Sequence, residues 1–326
     1  MHEAPIEQPP SPREIYVGVS MSKPERRELP SGDHMVFFTH VGIPKPESRP
    51  DIGDEPINED GIVFHQNRFF VCDGIGGEDD GALATKIFCE TVGRSLQENK
   101  EQNSLSAVIA DGAKAIHTSK EFYDVAGLCY LGAEITKNPN GNKTISGYYV
   151  GDVRLCIIRN AFVHEATEDQ GPKTWKKRNV IDTHLTHGLE KAHQPKFFSF
   201  PLQPGDIIII CTDGVTDNFD AKTDPDDSKI DENANASIPE KDAVIGNNAI
   251  APFFFDTPEE PRNLQQAVSD LMKETLHRMR AYTTNVEIET EKEKASKVAH
   301  RLAIAATQKK MTYKPDNVTV VAIEVV

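Results

Sequence analysis

The chain has 326 residues, 38% of them hydrophobic and 27% charged, with a formal net charge of −15 at pH 7 and a mean hydropathy of −0.48. That length suits one large domain or two small ones, with enough apolar residues for a core and long polar loops besides. The acidic balance excludes a nucleic-acid partner, which requires a basic footprint, and no segment approaches the roughly 20 apolar residues that span a membrane.

Residues 1–27 are rich in Pro and Glu and lack the apolar stretch of a signal peptide, so residues 1–30 are expected to form a disordered tail and 31–326 a single domain. Five cysteines, Cys72, Cys89, Cys129, Cys156 and Cys211, lie in apolar segments with no CxxC spacing. They read as buried reduced thiols, which points to a reducing, cytoplasmic compartment.

Runs that are β-branched or aromatic and bounded by Gly, Pro, Asn or Asp predict strands over Ile62–Phe64, Arg68–Asp73, Val125–Thr136, Thr144–Gly151, Arg154–Arg159, Phe197–Leu202, Asp206–Thr212 and Val318–Val326. Asn140-Gly141 is a hairpin signal between two of them. Helical spacing runs from Asp80 to Glu98 through Ala84, Ile87, Phe88, Val92 and Leu96, and from Ser104 to Ser119 through Leu105, Val108, Ile109, Ala113 and Ile116. It returns at Leu264, Val268, Leu271, Met272, Leu276 and Met279, and again from Ala295 to Ala306. Strands and helices are segregated rather than alternating, which speaks for an α+β layered domain. Glu168–Lys196 and Asn218–Pro261 carry neither period and read as irregular insertions.

Carboxylates recur at the ends of the strand runs. Asp73-Gly74-Ile75-Gly76-Gly77 follows the run Arg68–Cys72, and Asp213-Gly214 follows Ile207–Thr212. Asn58-Glu59-Asp60 precedes the first of the predicted strands and Asp316-Asn317 the last. A single Asp-Gly after a strand is commonly a turn and nothing more, but a turn-only account must explain four coincidences. Oxygen ligands gathered at one edge of a sheet assembly are the donor type taken by Mg²⁺ and Mn²⁺.

With Gly151-Asp152-Val153-Arg154, Thr167-Glu168-Asp169, Gly205-Asp206 and Thr212-Asp213-Gly214-Val215-Thr216-Asp217 added, the motif order resembles the metal-dependent serine/threonine protein phosphatases of the type 2C, or PPM, class, as a divergent, bacterial-like member. The resemblance covers roughly Asp54 to Val326. It implies a central antiparallel β-sandwich flanked by helices on both faces, four layers α-β-β-α, with two Mg²⁺ or Mn²⁺ ions at one end and a third in many bacterial-type members. By motif position Asp73 bridges both ions, the Gly74 carbonyl binds one, and Asp213 and Asp316 bind the other. Glu59 lies beside them or contacts a metal-bound water, Asp60 stands behind, and Asp152 matches the position that helps hold the third ion. Asp73, Asp213, Glu59 and Asp60 then form the catalytic set.

The activity implied is hydrolysis of phosphoserine and phosphothreonine in a phosphorylated protein substrate, by a hydroxide bridging two ions about 4 Å apart, in a monomer. Two departures bear on it. Glu55 occupies the place of a phosphate-clamping Arg, with Arg49 upstream as a substitute that nothing in the sequence places, and Ile75 occupies the place of a His proposed as general acid. Ala126-Gly127-Leu128-Cys129 replaces the usual Gly-Ser/Gly-Thr-Thr strand motif, a change of packing. These departures make a catalytically weak or inactive pseudophosphatase, working as a binding module, the alternative; a small-molecule phosphatase is a third reading. His164, His184, His187 and His193 match no common zinc spacing and read as surface residues, and Trp175-Lys176-Lys177-Arg178 reads as a solvated basic loop.

Overall fold

The computed structural model describes residues 14–17, 19–41, 57–75, 79–98, 104–122, 126–170, 184–188, 194–219, 249–257, 260–295 and 316–326. Five strands open it: β1 (Glu14–Val17), β2 (Glu25–Glu28), β3 (His34–His40), β4 (Gly61–His65) and β5 (Arg68–Ile75). Helices α1 (Asp79–Glu98) and α2 (Leu105–Thr118) follow, then β6 (Gly127–Lys137), β7 (Lys143–Val150), β8 (Arg154–Arg159), β9 (Phe162–Ala166), β10 (Leu185–Thr186), β11 (Lys196–Leu202) and β12 (Ile207–Cys211). Short α3 (Asp213–Phe219), the paired β13 (Phe255–Thr257) and β14 (Glu260–Pro261), long α4 (Leu264–Ala295) and β15 (Val318–Glu324) complete it.

Two antiparallel sheets stack face to face. One has the order β1-β4-β5-β6-β7-β11, with β10 also on β6; the other is β2-β3-β15-β12-β8-β9. Alternation along β4 and β5 divides their side chains between two cores. Ile62, Phe64, Phe69 and Val71 point between the sheets, whereas Val63, Phe70 and Cys72 meet Phe88, Cys89 and Val92 of α1. Because helices cover the first sheet, both faces of its strands are dry, and this is why β5 reads as a continuous apolar run. Leu264, Val268, Leu271 and Met272 of α4 cover the second sheet from the other side. The result is the α-β-β-α layering that the motif order implied.

Three features depart from the sequence reading. Residues 1–30 are not all tail, since β1 and β2 are edge strands, one in each sheet, and residues 1–13 lie outside the described residues. Glu25-Arg26-Arg27-Glu28 has no apolar residue, so its strand depends on tertiary context: Arg27 pairs with Glu14 of β1 at 2.9 Å and with Glu25 at 2.8 Å. β3, carried by Met35-Val36-Phe37-Phe38, was an apolar run that pattern reading passed over. Helix α4 continues beyond Met279 without an apolar stripe, and its last turns, from Glu287 to Ala295, are rich in Glu and Lys, whose helical propensity is high. The helix expected after Ala295, and most of the two irregular stretches, lie outside the described residues. None of the described helices is long and apolar enough to cross a membrane.

The sheets are bridged at one end by a buried ion pair. Lys143, at the start of β7, donates to Asp33 Oδ1 at 2.6 Å and to an oxygen of Val326 at 2.8 Å. The Val326 N–H reaches the same Asp33 oxygen at 2.9 Å. Lys143 and Asp33 side chains are 8% and 0% exposed, so removing Lys143 strands the Asp33 carboxylate in a dry site, and removing Asp33 leaves Lys143 with the Val326 oxygen alone. Lys143→Met or Asp33→Leu alone is expected to cost about 3–5 kcal/mol in urea unfolding, while the double variant recovers most of the loss.

Candidate active site

Strand register gathers the acidic residues at the opposite end of the sandwich. Gly61 pairs with Cys72, so Asp60 enters β4 beside Asp73, which continues the inward series of Phe69 and Val71. Asp73 pairs with Cys129. β7 ends at Val150 opposite Tyr130, so the Gly151-Asp152 turn lies over Cys129. On the other sheet Cys211 pairs with Val320, and the Thr212 N–H donates to the Thr319 carbonyl at 3.2 Å. That places Asp213, the first residue of α3, beside Asp316, which precedes β15. Glu59 is half-buried against Gly74 and against Gly81 of α1.

Close backbone approach fixes the turn after β12. A Cβ on Gly214 would stand 1.8 Å from the Asn317 carbonyl oxygen, so only glycine lets α3 start against the strand-leading residues of β15. Inside α3 the Asn218 side chain donates to the Gly214 carbonyl at 2.7 Å.

A chain of hydroxyls and amides runs beneath the carboxylates and joins the two sheets. Thr212 Oγ1 donates to Asp60 Oδ2 at 3.0 Å and accepts the Thr319 N–H at 3.1 Å. Thr319 Oγ1 meets Thr39 Oγ1 at 2.9 Å, and Asn58 Nδ2 reaches the same Thr39 hydroxyl at 2.8 Å. Thr39, Thr212 and Thr319 are fully buried. The Asp60 N–H in turn donates to Asn58 Oδ1 at 3.1 Å.

Burial pushes the Asp60 carboxyl well above its ordinary pKa; the hydroxyls of Thr319 and Thr212 oppose this, and the charges of Asp316 and Asp213 add to it. Burial also raises Asp73, and the carboxylates of Asp60, Asp213, Asp316 and Asp152 raise it further. Asp60 Oδ1 is buried and accepts no hydrogen bond among the described residues. A crowd of like charges with an orphaned buried oxygen, drawn wholly from carboxylates, suits a hard divalent cation in its donor chemistry. Among the described residues, however, no three His, Cys, Asp or Glu side chains stand arranged to hold a metal ion.

Of the residues singled out in the sequence, Glu59, Asp60, Asp73, Gly74, Asp152, Asp213 and Asp316 thus lie at one end, while Arg49, Glu55, Gly76, Gly77, Trp175 and His193 lie outside the described residues. The Gly151–Arg154 and Thr167–Asp169 motifs brace each other. Arg154 pairs with Asp169 at 2.5 Å, Thr167 Oγ1 accepts the Leu155 N–H at 2.9 Å, and Gln170 Oε1 accepts the Gly151 N–H at 2.9 Å. Asp206 lies at the far end of β12, paired twice with Arg159 at 2.7 and 2.8 Å. His164 is exposed on β9, but His184 and His187 are half-buried around β10, contrary to the surface reading. Thr39 was missed in the sequence because β3 was; the run Met35–Phe38 carried the signal.

No protein-family model and no curated protein matches the chain. Solved structures do. The Mycobacterium tuberculosis serine/threonine phosphatase PstP/Ppp shares 16% identity over 89% of this chain and 97% of that one, with a TM-score of 0.54. The S. agalactiae serine/threonine phosphatase shares 16% over 90% and 99%, at 0.53. The PPM Ser-Thr phosphatase MsPP from Mycobacterium smegmatis, in complex with cacodylate, shares 15% over 90% and 98%, at 0.54. This is the PPM phosphatase fold. In the PPM fold of this chain, the acidic end is built by both sheets, and every carboxylate in it stands within a few residues of a strand.

The raised carboxyls have a consequence for stability. The folded chain retains protons on Asp60 and Asp73 that the unfolded chain releases near pH 4, so stability declines as pH rises from about 4 towards neutral. In EDTA, melting temperature is expected to fall over that range. Asp73→Asn, which deletes one of the mutually repelling charges, is expected to raise it near neutral pH by a few degrees, the effect of about 1 kcal/mol in a domain of this size. Thermal melts at several pH values check both; a variant less stable than the parent in EDTA would count against the repulsion.

Proposed function

We propose that this chain is a phosphomonoester hydrolase that removes phosphate from phosphoserine and phosphothreonine in proteins, working as a monomer with one catalytic domain that includes β1 and β2. The observation that carries the reading is the meeting of carboxylates from two sheets, Asp60, Asp73 and Asp152 with Asp213 and Asp316, in one electrostatically coupled group at the end of a PPM fold. The fold's solved neighbours are described as serine/threonine phosphatases. Five buried free thiols support a reducing, cytoplasmic setting.

Asp73, the Gly74 carbonyl, Asp213 and Asp316, with Glu59 beside them, would hold two Mg²⁺ or Mn²⁺ ions, and Asp152 would help hold a further one. Bound divalent ions supply Lewis acidity, which acidifies a water and neutralises phosphoryl oxygens. The protein's own residues do the rest. Asp60 accepts the Thr212 hydroxyl and so fixes the turn that presents Asp213. Asn58, Thr39 and Thr319 hold that turn against β3 and β15, which keeps the carboxylates of the two sheets facing each other. Ile75 contributes an apolar wall with no proton to give.

The binding-module reading has one observation in its favour: the described carboxylates do not stand as a ready coordination set. Both readings are tested by hydrolysis of a phosphothreonine peptide and of para-nitrophenyl phosphate with Mn²⁺, Mg²⁺ or EDTA. Turnover is expected with metal and not with EDTA, and Asp73→Asn and Asp213→Ala are each expected to lose about 10²–10³-fold or more, as when an electrostatic stabiliser is removed elsewhere. No turnover from folded protein under any metal overturns the enzyme reading. Calorimetric titration with Mn²⁺ then tells whether the binding module retains an ion.

A further inference from the structure

The proposed hydrolysis leaves one chemical requirement unmet. An alkoxide leaving from a serine or threonine ester is a strong base and needs a proton, and Ile75 cannot provide one. Among the described residues around the acidic end, His184 is a proton-bearing side chain whose Nδ1 makes no other bond.

Its place follows from register. β6 pairs with β7 from Tyr130 to Lys137; beyond the end of β7, β10 takes over that edge, with Leu185 opposite Leu128 and Thr186 opposite Gly127. On the other side of β6, Asp73 stands opposite Cys129, Gly74 opposite Leu128 and Ile75 opposite Gly127. His184 therefore belongs to the same short rows as Asp73, Gly74 and Ile75, two strands away. The face is the same as well: the Cβ direction of Gly127, which shares its face with Cys129 and Ile75, points to His184 Cδ2 at 3.4 Å and to Thr186 Oγ1 at 3.0 Å.

Two strand spacings put His184 roughly 10 Å from Asp73, on the same face of the sheet. The imidazole is half-buried, and its Nδ1 has no hydrogen-bond partner among the described residues; Thr186 Oγ1, fully buried at the same spot, has none among them either. Two unpartnered polar groups on the inner face of one strand end mark a place where a polar ligand is due. Burial lowers the imidazole pKa, and a phosphate dianion arriving beside it acts in the opposite direction.

Resting on the phosphatase reading, we infer that His184 is the general acid of this enzyme, donating a proton to the departing serine or threonine oxygen. The ester P–O bond breaks as a P–O bond to the water oxygen forms. The imidazolium proton goes to the alkoxide to give the alcohol, and the proton released by the attacking water restores the imidazolium. His184 thereby replaces, from a different strand, the donor that position 75 lacks.

The test compares leaving groups. With Mg²⁺, His184→Gln is expected to lose about 10²-fold or more in kcat on a phosphothreonine peptide and to stay within about threefold on para-nitrophenyl phosphate, whose phenolate departs without a proton. Gly127→Ala, whose methyl would press on His184 and Thr186, should show the same leaving-group dependence in weaker form. As a readout apart from turnover, the His184 ring resonances should shift when inorganic phosphate is added to the Mg²⁺-loaded protein. Equal losses on both substrates, or a ring unaffected by phosphate, in a protein whose parent turns over both, overturn the assignment of His184 alone. Absence of turnover in the parent overturns the phosphatase reading and this inference with it.

Discussion

Asp73 lies in one sheet with Asp60 just ahead of β4, Asp213 and Asp316 flank strands of the other, and Asp152 lies in the turn from β7 to β8, so the gap between the sheets sets how far apart these charges can stand. Packed sheets lie about 10 Å apart, and here the gap is spanned by polar bonds at both ends as well as by the core between. At the charged end the Thr212–Asp60 and Asn58–Thr39 hydrogen bonds cross it; at the other end the Lys143–Asp33 pair does. A shift of one sheet against the other by a single residue would break both sets at once. The sandwich therefore holds the acidic groups together by resisting shear, against the repulsion that burial makes worse.

Division of labour along the strands follows from this. The residues that stabilise are apolar and occupy strand interiors, such as Ile207 to Ile210, buried on both faces. The clustered carboxylates, Asp73 excepted, occupy positions just outside the ladders, at the end of the strands. Asp73 is the exception that lies inside its ladder, paired with Cys129, which makes it the most rigidly held of the group.

What the sequence disclosed and what it hid divide along the same line. β5 and β12 were legible because covered sheets require unbroken apolar runs, and their carboxylates were legible because an acidic residue at the end of such a run has no packing reason to be there. β2 was hidden because four charged residues carry no period; its backbone pairs with β3, and Arg27 reaches across to Glu14 of the other sheet. Thr39 and Thr319 touch across 280 positions of chain, and nothing in either neighbourhood announces the other. His184 was hidden by the brevity of β10, whose two residues are too few to show alternation, although they decide which way the imidazole faces.

The hydroxyl chain through Thr39, Thr319 and Thr212 carries a consequence for how the acidic end is anchored. It lies wholly inside the protein, touches no solvent, and connects Val19, whose carbonyl accepts from Asn58, to the oxygen of Asp60. The turn that presents Asp213 is thereby tied, bond by bond, to the stretch of chain between β1 and β2.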